Sequence, residues 1–240
     1  MSVLFLSHRG ESEDAPENTL RAFALAMERR SDGIELDVRL TADKQVVCCH
    51  DETLARVAGV SLAVAQSTLA ELRCHHPVPL LAEAIELLRD DARMQIELKG
   101  SPELIPFVSK ILASFPHRER FVISSFEKET IAGAVSAFPD LPRVLLIDLE
   151  EEFGSFPKAA EVIDSLRPLR CGVSFKASFK ADAAFVGELR NSGMMVVGWG
   201  VSNDELGMHL AKIGVDAMTN NHAVALREKY RKFLSASKNN

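Results

Sequence analysis

The sequence predicts a single α/β domain over residues 1–240, folded as a (β/α)8 barrel of the TIM type. Three observations favour this class. Short apolar segments alternate along the chain with segments whose apolar residues recur at helical spacing. A length of 240 residues and a mass of 26.4 kDa are typical of one such barrel. No Gly-x-Gly-x-x-Gly motif follows an apolar segment, which counts against an open dinucleotide-binding sheet.

The predicted elements alternate strictly, and such alternation with short links is typical of a parallel sheet. The strands are predicted at 3–7, 33–38, 94–98, 121–124, 143–147, 172–175, 194–199 and 215–218. The helices are predicted at 19–30, 80–89, 103–114, 128–138, 159–166, 181–192, 204–213 and 223–234. Asn18 or Thr19 is expected to cap the first helix. Eight strand–helix units favour a closed barrel over an open sheet.

A ninth strand is expected after the second barrel strand. The chain turns at residues 41–44 and returns through the apolar residues of 45–49. Only about seven residues separate Val38 from Val46, which is fewer than the dozen that a parallel crossover needs. The return is therefore predicted to be antiparallel, and this hairpin carries His50 back toward the second strand.

Composition and charge exclude several classes of protein. Apolar residues make up 47% of the chain and charged residues 26%, as in ordinary soluble domains. The net charge of −6 and the absence of a Lys/Arg block outside the C-terminal tail argue against nucleic-acid binding. No apolar run approaches about 18 residues, so we expect no stable insertion into a membrane.

The cysteines and the N-terminus predict a cytoplasmic location. The four cysteines show no metal-ligand spacing, which fits a reducing compartment, and all four are expected to be buried. The apolar run at 2–6 is too short for a signal peptide before it meets His8.

The acidic residues of two neighbouring strands suggest a metal site. Glu35 and Asp37 alternate with apolar residues, so both carboxylates project from one face of their strand. Glu97 and Lys99 share one face in the same way. Clustered carboxylates need a counter-charge, and an all-oxygen site suits Mg²⁺ or Ca²⁺ rather than zinc. The alternative is an ion-paired rim of the barrel.

Other polar or aromatic residues fall at the carboxyl ends of predicted strands, where TIM barrels carry their chemistry. His8 and His50 are candidates for proton transfer, against the ordinary alternative of structural histidines. Lys99 and Lys176 are candidates for phosphate contact, although Lys176 fits a solvated strand end equally well. Trp199 lies between two glycines and is interpreted as a ligand platform, with a core role as the alternative.

Several short motifs in this order resemble the glycerophosphodiester phosphodiesterase family over almost the whole chain. They are His8-Arg9-Gly10, residues 15–19 (APENT), residues 35–38 (ELDV), Thr41-x-Asp43, His50-Asp51, residues 97–99 (ELK), Ser125-Phe126, Gly198-Trp199 and residues 215–220 (VDAMTN). The resemblance implies a TIM-barrel enzyme that hydrolyses a small glycerophosphodiester to sn-glycerol 3-phosphate and an alcohol with a divalent cation.

The resemblance also implies roles for individual residues. It assigns the metal ligands to Glu35, Asp37 and Glu97, and the acid/base pair to His8 and His50. Phosphate and substrate contacts fall on Arg9, Lys99, Trp199 and Phe126. The family's insertion over the pocket falls at roughly 52–79 and is short in this chain, and His222 replaces a family proline.

The residues leave two other functions open. One is a carbon–carbon lyase that uses the metal to hold an enolate or Lys99 to form an imine. The other is a barrel that binds phosphorylated ligands without turnover. Within the phosphodiesterase interpretation, lysophospholipids remain possible substrates, and the leaving alcohol, the choice between Mg²⁺ and Ca²⁺ and the oligomeric state stay open.

Overall fold

A computed structural model describes residues 3–237 and shows a closed parallel barrel with helices around it. In chain order the strands are β1 (Leu4–His8), β2 (Gly33–Leu40), β3 (Val46–Cys48), β4 (Arg93–Leu98), β5 (Phe121–Ser125), β6 (Arg143–Ile147), β7 (Gly172–Lys176), β8 (Val196–Trp199) and β9 (Ala217–Asn220). All except β3 belong to the barrel, which closes because β1 pairs with both β2 and β9. The predicted fold class is confirmed.

The helices pack on the outside of this barrel or lie in its connections. They are α1 (Leu20–Glu28), α2 (Ala55–Ala58), α3 (Leu69–Arg73), α4 (Leu81–Glu86), α5 (Ile105–Ala113), α6 (Lys128–Ala137), α7 (Leu149–Phe153), α8 (Ala159–Leu166), α9 (Ala183–Asn191), α10 (Asp204–Ile213) and α11 (Ala223–Ser237). The Thr19 hydroxyl accepts a hydrogen bond from the Ala22 N–H, which confirms Thr19 as the cap of α1. No helix within residues 3–237 has both the length and the apolarity needed to cross a membrane.

Some strands continue into polar residues beyond their predicted ends. β9 lies two residues later than predicted because Thr219 and Asn220 pair with Leu6 and Ser7 of β1. β1 likewise extends to His8, which pairs with Glu35. An apolar pattern misses such residues because they are polar, whereas the backbone ladder continues through them. The short helix α7 was also missed, because its run of glutamates has no apolar period.

The two faces of the sheet differ in polarity. Ile34, Leu36 and Val38 of β2 point outward and pack in a core with the surrounding helices. Inside the barrel, one apolar layer fills the end near the strand N-termini. We call this layer the barrel floor; its members are Leu6, Val122, Val144, Val197 and Ala217. The polar side chains inside the barrel therefore lie above it, at the carboxyl ends of the strands.

The hairpin after β2 forms as predicted, since β3 pairs antiparallel with β2. The residues between β3 and α4 have a small apolar core of their own, formed by Val47, Cys49, Leu54, Val64, Leu72 and Val78. The role of residues 52–79 as a cap stays a prediction. The expectation that every cysteine is buried was wrong for Cys74, which lies exposed at the C-terminal end of α3, whereas the other three are buried.

Candidate active site

Three buried carboxylates converge inside the barrel above the floor. Glu35, Asp37 and Glu97 each offer an oxygen, and these oxygens all lie within 4.8 Å of one another. The register explains the convergence, because Asp37 of β2 lies opposite Glu97 of β4. Alternation along each strand then sends all three side chains into the barrel. This is the arrangement that the sequence predicted for them.

Burial and neighbouring charge disfavour the ionised forms of two of these carboxylates, Glu35 and Glu97. Burial, followed by the charges of Asp37 and Glu97, raises the pKa of Glu35 well above its usual value. Burial and the charge of Asp37 raise the pKa of Glu97 to about 7. A cation among the three oxygens would favour their ionised forms, and an all-oxygen donor set suits a hard divalent ion. The three carboxylates therefore fit the divalent cation that the sequence predicts.

Two cationic side chains already face the carboxylates. Lys99 Nζ lies 2.5 Å from Glu97 Oε1 and 3.4 Å from Asp37 Oδ1. Arg9 Nε lies 3.2 Å from Asp37 Oδ2. Arg9 adopts a left-handed backbone conformation with φ of 57°, and its N–H donates to the Glu35 carbonyl oxygen at 2.8 Å. Three carboxylates thus face two cationic side chains, which leaves an excess of negative charge when all are ionised.

The His8 ring is held by a polar chain that fixes its tautomer. Asn221 Nδ2 lies 2.9 Å from Glu13 Oε1, and a carboxylate only accepts, so the amide nitrogen must face Glu13. Asn221 Oδ1 therefore faces His8 Nδ1, at 2.7 Å, and Nδ1 carries the proton. The other ring nitrogen, Nε2, lies 3.9 Å from Glu35 Oε2. Burial and the neighbouring Arg9 lower the pKa of His8, which favours a neutral ring with a free lone pair on Nε2.

His50 lies at the end of the hairpin and is held by partners of its own. Its Nδ1 lies 2.6 Å from Asp51 Oδ1, and its carbonyl oxygen accepts a hydrogen bond from Arg39 Nε at 2.9 Å. A carboxylate partner on Nδ1 leaves Nε2 as the nitrogen available to a ligand. His50 and His8 both line the same cleft.

The cleft above the carboxylates has a volume of about 530 Å³ and two aromatic walls. Phe126 and Trp199 meet edge to face with their ring centroids 5.1 Å apart. Lys99 Nζ lies 5.5 Å from the centroid of Phe126. The Phe126 side chain is 43% exposed, so part of its ring is free to contact a ligand. The rest of the wall comes from the loops after β8 and β9, including Ser202, Asn203 and Asn221.

The structure thus brings eight of the predicted site residues together around this cleft. They are His8, Arg9, Glu35, His50, Glu97, Lys99, Phe126 and Trp199. Asp37, the ninth, lies buried beside them between Arg9 and Lys99. Lys176 is not among them, because it pairs with Asp148 at 2.8 Å on the surface. Its alternative interpretation as a solvated strand end is confirmed.

Sequence reasoning gave no role to several polar residues that support the site. Asn18, whose φ is 53°, is buried, and its Nδ2 donates to Asp37 Oδ2 at 2.8 Å. Glu17 accepts from Arg9, and Asn221 contacts His8. Asn18 had one usable signal, since asparagine adopts left-handed backbone more readily than other non-glycine residues. The contact of Asn221 with His8 joins residues 213 positions apart and leaves no local pattern, and the contact of Glu17 with Arg9 crosses a loop that has no regular period.

Comparisons with known proteins show which family the chain resembles. The model of the glycerophosphoryl diester phosphodiesterase family matches residues 8–225. A glycerophosphodiester phosphodiesterase of Caldanaerobacter subterraneus is 36% identical over 163 residues, which cover 61% of this chain and 67% of that protein. Another from Bacillus subtilis is 27% identical over 251 residues, covering 92% of this chain and 84% of the relative.

Two solved structures share the fold of this chain over nearly its whole length. A glycerophosphodiester phosphodiesterase from Thermotoga maritima superposes with a TM-score of 0.81 at 27% identity, covering 95% of this chain and 99% of the other. A phosphodiesterase from Oleispira antarctica, solved with the product sn-glycerol-3-phosphate, superposes with a TM-score of 0.82 at 26% identity and covers 95% and 96%. The chain therefore belongs to the glycerophosphoryl diester phosphodiesterase family, whose members are phosphoric diester hydrolases.

Proposed function

We propose that the chain hydrolyses glycerophosphodiesters to sn-glycerol 3-phosphate and an alcohol, with Mg²⁺ or Ca²⁺ held by Glu35, Asp37 and Glu97. The observation that carries this proposal is the convergence of three buried carboxylates with two histidines, an arginine and a lysine at one end of the barrel. The product bound to the Oleispira antarctica relative supports the choice of substrate class. When bound, the cation would offset negative charge on the phosphate oxygens.

Arg9 and Lys99 are proposed to contact the phosphate. A phosphodiester transition state places negative charge on its non-bridging oxygens, and both side chains carry fixed positive charge beside the carboxylates. Arg9 offers a planar fork suited to two phosphate oxygens, whereas Lys99 offers a single ammonium. Lys99 Nζ is engaged by the carboxylates of Glu97 and Asp37, whereas an imine-forming lysine needs a nitrogen lone pair directed at a carbonyl, which counts against the lyase alternative.

His8 and His50 are proposed to exchange the two protons of the reaction. One ring takes a proton from the nucleophile and the other gives a proton to the leaving alkoxide. Each ring is anchored through Nδ1, to Asn221 or to Asp51, so each has Nε2 available for the transfer. The surroundings of the two rings differ, because burial and Arg9 lower the pKa of His8 whereas His50 faces the carboxylate of Asp51, and this asymmetry fits two different roles.

The aromatic pair Phe126 and Trp199 is proposed to contact the glycerol carbons. Their rings form an apolar wall next to Lys99, so the carbon skeleton would pack on the rings while the phosphate meets the charged groups. The leaving alcohol and the predicted cytoplasmic location stay predictions from the sequence.

The direct test is hydrolysis of four diesters by the purified chain. Glycerophosphocholine, glycerophosphoethanolamine, glycerophosphoinositol and lysophosphatidylcholine would each be offered after chelation and again with added Mg²⁺ or Ca²⁺. We expect sn-glycerol 3-phosphate to appear from at least one glycerophosphodiester only when a cation is restored. Full turnover in excess chelator would overturn the metal site, and no turnover on any diester would favour a ligand-binding barrel.

Two matched pairs of variants test the residue roles. Lys99→Met and His50→Ala are expected to lower kcat by about 100-fold or more. Lys176→Met and His117→Ala alter the same residue types on the surface and should leave kcat within about twofold. Comparison of the rates on an alkyl diester and on a nitrophenyl diester then shows which histidine acts as the acid. Nitrophenolate leaves without a proton, so the variant that lacks the acid loses less on that substrate.

A further inference from the structure

Arg56 of the segment between β3 and α4 reaches back to the rim of the active site. Its Nη1 and Nη2 lie 2.7 Å from Glu17 Oε2 and Oε1, respectively. Its Nε lies 2.6 Å from Asp51 Oδ2. One planar guanidinium therefore joins two carboxylates that lie 34 residues apart in the sequence, and the pair with Glu17 is bidentate.

Each of these carboxylates also holds a residue of the proposed machinery. Glu17 Oε1 accepts a hydrogen bond from Arg9 Nη1 at 2.9 Å. Asp51 Oδ1 lies 2.6 Å from His50 Nδ1. Burial acts to raise the pKa of Asp51, but the hydrogen bonds from Arg56 and His50 outweigh it and lower the pKa to about 2. Asp51 is therefore ionised at neutral pH and remains an acceptor for both partners.

The chain of contacts runs from a phosphate-contacting arginine to a proton-transfer histidine through Arg56. Arg9 follows the barrel strand β1 and His50 follows the hairpin strand β3, so the two come from different parts of the chain. Arg56 lies on α2, a helix of only four residues whose positions are all at least partly exposed. A group supplied from outside the barrel thus contacts the carboxylate partners of both functional side chains.

These ion pairs contribute little to folding. The Arg56 side chain is 48% exposed, and exposed ion pairs are largely offset by hydration and side-chain entropy. The Arg56 guanidinium contacts the two carboxylates at three points, and this geometry restricts the orientation of both carboxylates. Small displacements of reacting groups reduce rates steeply even when the fold is unchanged.

We propose that Arg56 is a positioning residue that sets the orientation of His50 through Asp51 and of Arg9 through Glu17. The inference rests on the proposed function, because it assigns to Arg56 the orientation of two groups that this function uses. It makes residues 52–79 part of the catalytic apparatus, although none of them is among the described residues that line the cleft.

The test compares Arg56→Gln and Arg56→Lys with the unaltered chain on a glycerophosphodiester. We expect Arg56→Gln to lower kcat by about 10- to 100-fold, because both functional side chains lose their fixed orientation. Arg56→Lys should recover part of this loss, since one ammonium can pair with one carboxylate but cannot form the fork. The midpoint of thermal unfolding should stay close to that of the unaltered chain for both variants.

Arg73→Gln is the matched control. Arg73 lies on α3 of the same segment, and it donates to the Val78 carbonyl oxygen and to Glu83 at 2.9 and 2.5 Å, away from the site. We expect kcat within about twofold of the unaltered chain for this variant. A loss equal to that of Arg56→Gln would show that the segment acts only through its general stability, and it would overturn the proposal.

A mutant cycle separates positioning from an independent effect. If Arg56 acts only through Asp51 and Glu17, adding Arg56→Gln to a variant that already carries Asp51→Asn and Glu17→Gln should lower kcat little further. Losses that multiply would overturn the proposed route, as would a kcat of Arg56→Gln within twofold of the unaltered rate. Absence of turnover in the unaltered chain would instead overturn the proposed function, and the inference with it.

Discussion

Glu97→Gln should stabilise the metal-free protein while it removes activity. In the metal-free protein the pKa of Glu97 is raised to about 7 from an ordinary value of 4.5, because burial and Asp37 disfavour its charge. This difference corresponds to about 3 kcal/mol of the free energy of unfolding. Because the pKa of Glu97 is higher in the folded than in the unfolded state, its contribution to the free energy of unfolding is fully present below the unfolded-state pKa. That contribution is lost as the pH rises through the folded-state pKa. Glutamine keeps the shape of the protonated acid at every pH.

The assay is urea unfolding in chelator at about pH 5 and about pH 8, with the variant and the unaltered chain measured side by side. Near pH 5 the two should unfold with similar free energies, because Glu97 is then largely protonated when folded. Near pH 8 the variant should be more stable by about 3 kcal/mol. Saturating Mg²⁺ or Ca²⁺ should stabilise the unaltered chain and act less on the variant, which has lost one ligand.

Glu103→Gln is the control, because that carboxylate is exposed and neutralising it should change stability by less than about 0.5 kcal/mol at either pH. The reasoning would be refuted if Glu97→Gln destabilised the metal-free protein near pH 8. That result would mean that the ion pair with Lys99 outweighs the burial of the carboxylate and its repulsion by Asp37.

Three further predictions concern two residues of the site and one glycine of the surrounding fold. Asn221→Leu should lower kcat by about tenfold or more, because His8 Nδ1 loses its acceptor; an unchanged kcat in initial-rate measurements would contradict the role of the amide. Trp199→Ala should raise KM by about tenfold with a smaller change in kcat, since it removes an apolar wall; a kcat loss at constant KM would argue against a binding role. Gly10→Ala should cost about 2 to 4 kcal/mol in urea unfolding, because a Cβ there would lie 2.6 Å from the Ala22 backbone at a φ of 82°; a stable variant would contradict this clash.

The fold was predictable because its signals are local. Each barrel strand is an apolar run, and the outward residues Ile34, Leu36 and Val38 alternate with Glu35 and Asp37 at the period of two that a strand requires. Strand ends were less accurate, because residues such as His8 and Asn220 are polar and belong to the ladder only through their partners on neighbouring strands. Backbone pairing across the barrel is not encoded in a short window of sequence.

The same difference between local and long-range signals explains which site residues could be predicted. The carboxylates, His8 and Lys99 could be found because each lies in or next to a recognisable strand, whereas the short motifs gave Arg9 by resemblance. The supporting residues could not be found, because their contacts span the chain: Asn221 lies 213 residues from His8, and Arg56 lies 39 residues from Glu17. Such contacts depend on how loops meet at the rim of the barrel after it has closed.

The barrel floor determines how molecules enter and leave the site. Because Leu6, Val122 and their neighbours fill the interior beneath the carboxylates, no passage leads through the barrel in the part of the chain that the structure describes. If the proposed function holds, substrate and both products enter and leave through the same opening. We then expect the alcohol to depart first, because it carries no phosphate for Arg9 and Lys99 to hold, and the phosphorylated product to leave last and compete with the next substrate molecule.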